Sequence, residues 1–179
     1  MKWIGIDPGL NTTGYAVLEL PEMSTRSSGA LGSSPQLIEA GIIQPDKKIP
    51  TADLGNRLHG LYTGIIELLD QYKPENLGIE QLYSHYQHPR TAILMGHARG
   101  VIILAATEMG VPVCSYSATQ VKKMITGSGR ASKIQMQFAI LRELKLAKIP
   151  EPNDVADAMA IALCHFAHQK NQSNTLIHG

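Results

Sequence analysis

Four carboxylates stand where the sequence passes from one structural element to the next, and together they could bind divalent metal ions. Asp7 ends a short apolar stretch and precedes Pro8-Gly9, a turn-forming pair. Glu80 ends a second apolar stretch, and Asp154 and Asp157 are three residues apart, on one face of a predicted helix. Such clusters are typical oxygen-ligand sites for magnesium or manganese. Two such ions could activate water and stabilise the leaving oxygen in phosphodiester hydrolysis.

Each acid also has a purely structural interpretation. Asp7 could hydrogen-bond its own turn, and Glu80 could face solvent at a strand end. Asp154 and Asp157 could simply complement the dipole at a helix N-terminus. The small apolar residues around and after Asp157 predict a deeply packed helix, which would bring both acids to the edge of the core. Four carboxylates on three buried elements would repel one another without a cation, so the set favours a metal site more than any member does.

Hydrophobic periodicity and turn residues predict the elements that would position these acids. Strands are predicted at residues 2–6 (ending at Asp7), 13–20, 36–44, 76–80 and 111–116. Helices are predicted near residues 54–72, 91–109, 117–125, 132–146 and 153–168. Three strands followed by alternating helices and strands favour an α/β fold, a five-stranded mixed sheet flanked by helices.

The length and composition fit one ordinary domain with a buried core. The chain has 179 residues and a mass of 19.4 kDa, with 44% hydrophobic and 17% charged residues. This balance excludes a disordered chain. We expect residues 1–168 to form the domain, residues 21–35 to be a flexible loop, and residues 169–179 to be a polar, disordered tail.

The sequence predicts a cytoplasmic protein without a membrane segment. No apolar run reaches about 18 residues, and the first residues lack the layout of a signal peptide. Cys114 and Cys164 lie in apolar stretches and are expected to be reduced core residues. His165 and His168 lie beside Cys164, but histidine is also favoured near a helix C-terminus, so zinc is not expected.

Basic residues are concentrated in the middle of the chain. Residues 82–148 contain nine Lys and Arg against two Asp and Glu, whereas residues 1–81 contain six against ten and residues 149–179 one against three. The net charge of the whole chain is only +1. A basic middle segment flanked by acidic ends indicates an anionic partner such as a nucleic acid. The carboxylates of the acidic ends would then have a different role from binding that partner.

An ordered set of short motifs resembles one known family. The motifs are Ile6-Asp7-Pro8-Gly9, Thr13-Gly14-Tyr15, Ile79-Glu80-Gln81-Leu82-Tyr83, Gly96-His97-Ala98-Arg99-Gly100, Gln120-Val121-Lys122 and Asp154-Val155-Ala156-Asp157-Ala158. Together they resemble the RuvC family of Holliday-junction resolvases over about residues 2–168. The chain departs from the family pattern in the insertion at residues 21–35 and in a slightly long loop after Tyr83.

The resemblance implies a fold, an activity and a set of site residues. It implies an RNase H-like fold and a crossover junction endodeoxyribonuclease that cuts four-way DNA junctions as a homodimer, in recombination and repair. The expected cofactor is Mg²⁺ or Mn²⁺, with two ions per site and 5′-phosphate products. The expected partners include branch-migration proteins of the RuvA and RuvB families. The implied catalytic and metal-binding residues are Asp7, Glu80, Asp154 and Asp157.

Basic and aromatic residues provide candidate DNA contacts. Lys122, Lys123, Arg130 and Lys133 could contact phosphates, although such clusters are often just solvated helix faces. Lys122 and Lys133 match lysines that the family uses near the scissile strand. Tyr83 matches an aromatic that stacks on an unpaired base at the junction; an aromatic there could equally be a packing residue.

The second predicted helix is the candidate dimer surface. Gly96 and Gly100, with alanines nearby, would let a partner approach closely, although small residues usually serve packing within one chain. The family resemblance favours the dimer, because family dimers are built around this helix. A dimer would supply two sites to a junction of approximate two-fold symmetry.

Three other functions compete with junction cleavage. An actin-like ATPase or sugar kinase shares an Asp-x-Gly turn after the first strand, but such proteins need a second nucleotide-binding half. A non-catalytic module would bind junctions without cutting them. A different RNase H-like nuclease would prefer another substrate, such as an RNA–DNA hybrid.

Overall fold

The computed structural model describes residues 1–20, 34–46, 48–82 and 89–177. The strands are β1 (Lys2–Asp7), β2 (Thr13–Glu19), β3 (Gln36–Ile43), β4 (Asn76–Glu80) and β5 (Val113–Tyr116). The helices are α1 (Leu54–Tyr72), α2 (Pro89–Glu108), α3 (Ala118–Thr126), α4 (Lys133–Glu143) and α5 (Asn153–Ile177).

The strands form one mixed sheet in the order β3-β2-β1-β4-β5. The pairs β1–β2 and β2–β3 are antiparallel, whereas β1–β4 and β4–β5 are parallel. The predicted five-stranded mixed sheet flanked by helices is therefore confirmed. Because β1 and β4 are parallel neighbours with Ile6 opposite Ile79, their last residues, Asp7 and Glu80, emerge side by side at one edge of the sheet.

Helices cover both faces of this sheet, because alternate strand residues supply two separate cores. Ile4 and Ile6 of β1 belong to the core formed with α1 and α2. On the opposite face Trp3 packs edge-on against Phe166 of α5, with 5.3 Å between ring centroids. The second core joins β2 to α3, α4 and α5.

Two glycines let α5 lie directly on the sheet. A Cβ added at Gly5 of β1 would stand 2.3 Å from the backbone nitrogen of Ala162. A Cβ added at Gly14 of β2 would stand 2.0 Å from the carbonyl oxygen of Asp154. The start of α5 is therefore fixed over the ends of β1 and β2, close to Asp7.

Several element boundaries differ from those predicted, among them the end of α5, the start of β5 and the end of α4. α5 runs to Ile177 rather than ending near His168, so residues 169–177 are helical where a disordered tail is predicted. They contain no glycine or proline to interrupt the helix. β5 begins only at Val113, because Pro112 has no N–H to pair. α4 ends at Glu143, and Lys145 adopts a left-handed conformation with φ of 52°.

Within the described ranges no helix is long and apolar enough to cross a membrane. Cys114 and Cys164 are both free thiols; Cys164 is buried and Cys114 partly buried. The predicted loop at residues 21–35 lies almost entirely outside the described residues, as do Tyr83 and the chain up to residue 88.

Candidate active site

The loop after Asp7 is held by side chains from distant elements. The fully buried hydroxyl of Thr13 donates to the carbonyl of Gly9 at 2.6 Å and accepts from the Gly9 N–H at 3.2 Å. Arg57 of α1, also buried, donates to the carbonyl of Thr51 at 3.1 Å and to the side chain of Asn11. These bonds fix the path of the chain as it leaves β1 and so fix the position of Asp7.

Three of the four predicted acids meet in one cleft. Asp7, Glu80 and Asp157 line a cleft of about 310 Å³ together with Lys122 and Lys133; we call it the acidic cleft. The strand ends supply Asp7 and Glu80, and the first turns of α5 supply Asp157. Asp7 and Glu80 are half-buried, whereas Asp157 reaches the open mouth.

Asp154 lies on the other side of Asp7. The two residues share a neighbouring cleft of about 380 Å³ with the loop after β1 and the start of α2. Asp154 is still close enough to repel the carboxylate of Asp7 and that of Asp157. Asp7 therefore stands between two clefts, with one acid of α5 on each side.

The basic residues divide into two groups. Lys122 of α3 and Lys133, the first residue of α4, both line the acidic cleft and attract the carboxylate of Asp157. Lys123 and Arg130 are exposed and do not line it. Ser117 and Ser132 cap α3 and α4 with complete capping boxes, which fix where each helix begins and so aim both cleft lysines.

Burial raises the pKa of three of these acids, and repulsion between the carboxylates adds to the rise. The pKa of Asp7 rises from 3.8 to about 8, chiefly through burial and then through repulsion by Glu80, Asp157 and Asp154. Burial also raises the pKa of Glu80, although a hydrogen bond from Asp7 and the charge of Lys122 oppose that rise. Burial likewise raises the pKa of Asp157, against the charge of Lys133. Burial and the neighbouring carboxylates thus both favour the protonated form of Asp7 over its anion.

The donor set suits a hard divalent cation, but the carboxylates are not arranged around one. In the described part of the chain no group of three or more His, Cys, Asp or Glu side chains has the arrangement needed to hold a metal ion. The carboxylate of Glu80 repels that of Asp7, a repulsion that a bound cation would neutralise. An all-carboxylate set is what magnesium or manganese prefers and zinc, which favours histidine and cysteine, does not.

Comparison with known proteins decides the family. The family model for "Crossover junction endodeoxyribonuclease RuvC" matches residues 3–165. The chain belongs to the RuvC family. A RuvC from Rhodopirellula baltica is 50% identical over 163 residues, which cover 90% of this chain and 83% of the relative. A RuvC from Pelotomaculum thermopropionicum is 38% identical over 94% of each chain. Nucleases of the RuvC family depend on metal.

Solved structures place the fold in the same group. The chain is similar to Thermus thermophilus RuvC in complex with a Holliday junction substrate, with a TM-score of 0.82, 30% identity and 96% of each chain covered. It also shares its fold with a yeast mitochondrial Holliday junction resolvase, at a TM-score of 0.65 and 14% identity, over 96% of this chain and 80% of that one. The predicted RNase H-like fold is therefore confirmed.

Sequence reasoning missed three residues that shape the RuvC-family site. Arg99 donates to the backbone carbonyl of Glu80 at 3.0 Å, although the motif containing it suggested no role. Thr13 and Arg57 hold the loop after Asp7. The spacing of Thr13, four residues after Gly9, could have indicated that its hydroxyl bonds the turn. Nothing near Arg57 in the sequence indicates the loop that this residue holds.

The histidine pair near the end of the chain is not part of this site. Both ring nitrogens of the fully buried His165 are hydrogen-bonded: Nδ1 accepts from the hydroxyl of Tyr116 at 2.7 Å and Nε2 donates to the side chain of Asn76. Burial, with a smaller contribution from His168, lowers the pKa of His165 to about 4. His165 therefore stays neutral and ties α5 to β4 and β5.

The acidic cleft predicts an unusual pH dependence of stability without metal. The unfolded chain releases the proton of Asp7 near pH 3.8, whereas the folded protein keeps it until about pH 8. The folded state thus binds more protons between these values, so its stability falls as the pH rises. In EDTA we expect the melting temperature to decrease from about pH 5 to 8, and added Mg²⁺ to stabilise more at the higher pH.

The matched variant is Asp7→Asn, which removes the titrating group. Differential scanning fluorimetry of both proteins across the same buffers measures the two slopes. We expect the decrease to be clearly weaker in the variant. A wild-type melting temperature that climbs over this range in EDTA would contradict the raised pKa of Asp7.

Proposed function

We propose that this protein is a structure-specific DNA endonuclease that resolves four-way (Holliday) junctions by paired, metal-dependent phosphodiester hydrolysis. Membership of the RuvC family supports the reaction, and the acidic cleft supports its chemistry. The observation that carries the proposal is the meeting of Asp7, Glu80 and Asp157 with Lys122 and Lys133 in one cleft. Carboxylates that bind cations then lie beside lysines that bind a phosphate.

The proposed metal ligands are Asp7, Glu80, Asp154 and Asp157. The all-carboxylate donor set supports Mg²⁺ or Mn²⁺ as the metal. Asp154 and Asp157 of α5 lie on opposite sides of Asp7, which supports two ions. When bound, divalent ions supply Lewis-acid stabilisation and a more acidic water for the hydrolysis. Because burial and repulsion raise the pKa of Asp7 to about 8, metal binding competes with protonation of this ligand, so loading of the site depends on pH.

The cleft lysines have a direct task in this reaction. Their ammonium groups hold the scissile phosphate and offset the negative charge that grows on its oxygens. Lys133 directly follows the capping residue Ser132, and Lys122 lies within the capped helix α3; this supports the role, because a preorganised charge costs no rearrangement during the reaction. By likeness to the family, the products carry 5′-phosphates.

Further DNA contacts are proposed outside the cleft. Lys123 and Arg130 are exposed near the cleft lysines along the chain, which supports phosphate contacts that fix register without reading bases. Tyr83, three residues after Glu80, is proposed to stack on an unpaired base.

A homodimer built on α2 would bring two sites to one junction. A Cβ added at Gly100 would meet no atom of another part of the chain within 4 Å, and one added at Gly96 would meet only a side-chain atom of Leu82, at 3.9 Å. Packing within the described part of the chain therefore does not require these glycines. Ile93 and Leu104, on the same helix, leave more than half of their surface exposed, at 61% and 53%. Small residues beside exposed apolar ones support contact with a second copy.

The cellular setting follows from the family. We propose that the protein acts in the cytoplasm, which its free cysteines support. Branch-migration proteins of the RuvA and RuvB families are the proposed partners, by likeness to the family alone.

A synthetic four-way junction tests the function directly. The protein is incubated with the junction in Mg²⁺ or in EDTA, and the nicks are mapped on each strand. We expect paired nicks at symmetric positions in Mg²⁺ and none in EDTA. Cleavage of an RNA–DNA hybrid in preference to the junction would instead indicate another RNase H-like nuclease.

The cleft lysines give a sharper test within the same assay. Lys122→Ala should lower the single-turnover cleavage rate by about 10²-fold, the usual effect of removing one preorganised charge from an active site. Lys123→Ala is the matched control, because Lys123 is the next residue of α3 and its ammonium does not line the cleft. We expect that control to weaken junction binding slightly and to leave the rate for bound junction unchanged. Equal losses of rate in the two variants would contradict the assignment.

A further inference from the structure

We propose that Arg99 is a positioning residue that fixes the backbone of Glu80, a proposed metal ligand, at the acidic cleft, an inference that rests on the proposed function. The guanidinium of Arg99 joins the ends of two neighbouring strands. Its Nε donates to the carbonyl of Glu80 in β4 at 3.0 Å, and its Nη2 donates to the hydroxyl of Ser115 in β5 at 2.6 Å.

The end of β4 needs such an anchor. The pairing of β4 with β1 ends at Ile79, and β1 is followed by Pro8, which has no N–H to extend it. On the β5 side the N–H of Gln81 donates to the carbonyl of Tyr116 at 2.8 Å. The carboxylate of Glu80 is repelled by that of Asp157, so the backbone of Glu80 must be held in place.

The part of α2 that carries Arg99 is firmly packed. Its neighbours on α2, Ala98 and Ile102, are fully buried in the core against α1 and the sheet. The planar guanidinium presents two donors on separate nitrogens in a fixed geometry, which the single ammonium of a lysine does not reproduce. Arg99 is not among the residues that line the acidic cleft, so it acts through Glu80 rather than by touching the substrate.

Metal affinity is the readout that separates positioning from general stability. We expect Arg99→Ala to weaken Mn²⁺ binding, measured by calorimetry without DNA, by about 10- to 100-fold, as for other residues that orient metal ligands. Cleavage at low Mn²⁺ should fall by a similar factor and recover at saturating Mn²⁺. Junction affinity in EDTA should not change. Arg99→Lys should give an intermediate Mn²⁺ affinity.

Two further variants complete the design. Ser115→Ala removes the second acceptor and should weaken Mn²⁺ binding in the same direction but less. Arg90→Ala removes an exposed arginine from the same helix and should leave Mn²⁺ affinity unchanged. If Arg99→Ala does not fold, Arg99→Lys decides the question, since it keeps the charge and most of the bulk.

The outcomes distinguish this inference from the proposed function. Folded Arg99 variants that bind Mn²⁺ as tightly as the wild type would overturn the inference, even if their melting temperatures were lower. A wild-type protein that binds Mn²⁺ but leaves four-way junctions uncut would overturn the proposed function instead.

Discussion

Replacing Asp7 by Asn should abolish junction cleavage while leaving junction binding intact. Asp7 lines both clefts at the edge of the sheet, so it is the acid best placed to serve every proposed ion. Asparagine keeps the size of the side chain but removes the negative charge that a divalent cation requires. We expect the single-turnover rate in Mg²⁺ to fall by more than about 10³-fold, the upper range for loss of one electrostatic group.

Binding is measured by gel shift in EDTA, where cleavage cannot occur. The variant should bind at least as tightly as the wild type, because it removes a negative charge from the surface that meets DNA phosphates. Asp70→Asn, an exposed acid on α1, is the control and should cut normally. Near wild-type cleavage by Asp7→Asn would refute the assignment of the metal site.

Gly14→Ala should damage both the fold and the site. Its new Cβ would lie 2.0 Å from the carbonyl oxygen of Asp154, a backbone atom that moves only if the start of α5 moves. Forcing atoms into a packed region typically costs about 1–3 kcal/mol, and the short contact with a backbone atom places Gly14→Ala at the upper end of that range. A cost of about 3 kcal/mol lowers the melting temperature of a domain of this size by roughly 6–12 °C. Because Asp154 is displaced directly, cleavage should be lost even well below that melting temperature.

Gly60→Ala provides the matched control. Gly60 lies within α1, and a Cβ there would meet no atom within 4 Å. Alanine favours a helix over glycine by about 1 kcal/mol, so the control should be as stable as the wild type or slightly more stable. Circular dichroism melts and the junction assay measure both effects. Equal stability of Gly14→Ala and Gly60→Ala would show that α5 does not rest on β2 as described.

The sequence alone was enough to predict the elements and to nominate the four acids as candidates, because both depend on local patterns. Asp7 and Glu80 each end an apolar run, and that position already implied a shared edge if the two strands were parallel neighbours. Residues 153–157 were recognisable as a helix start. The continuation of α5 to Ile177 was missed, because its polar composition suggested a tail.

Contacts between distant parts of the chain were not predictable in the same way. The need for glycine at positions 5 and 14 depends on the path of α5 across the sheet, which no local pattern encodes. The bond from Arg99 to Glu80 spans nineteen residues and depends on how α2 is packed. The division of Asp154 and Asp157 between two clefts follows from the same placement of α5.

The order of the four acids along the polypeptide has a consequence for synthesis. Asp7 lies in the first strand, whereas Asp154 and Asp157 lie in the last helix. A ribosome must therefore translate nearly the whole message before the two ends of the site can meet. Nascent chains and products of premature termination before codon 154 would lack half of these acids, so they should be unable to nick the chromosome.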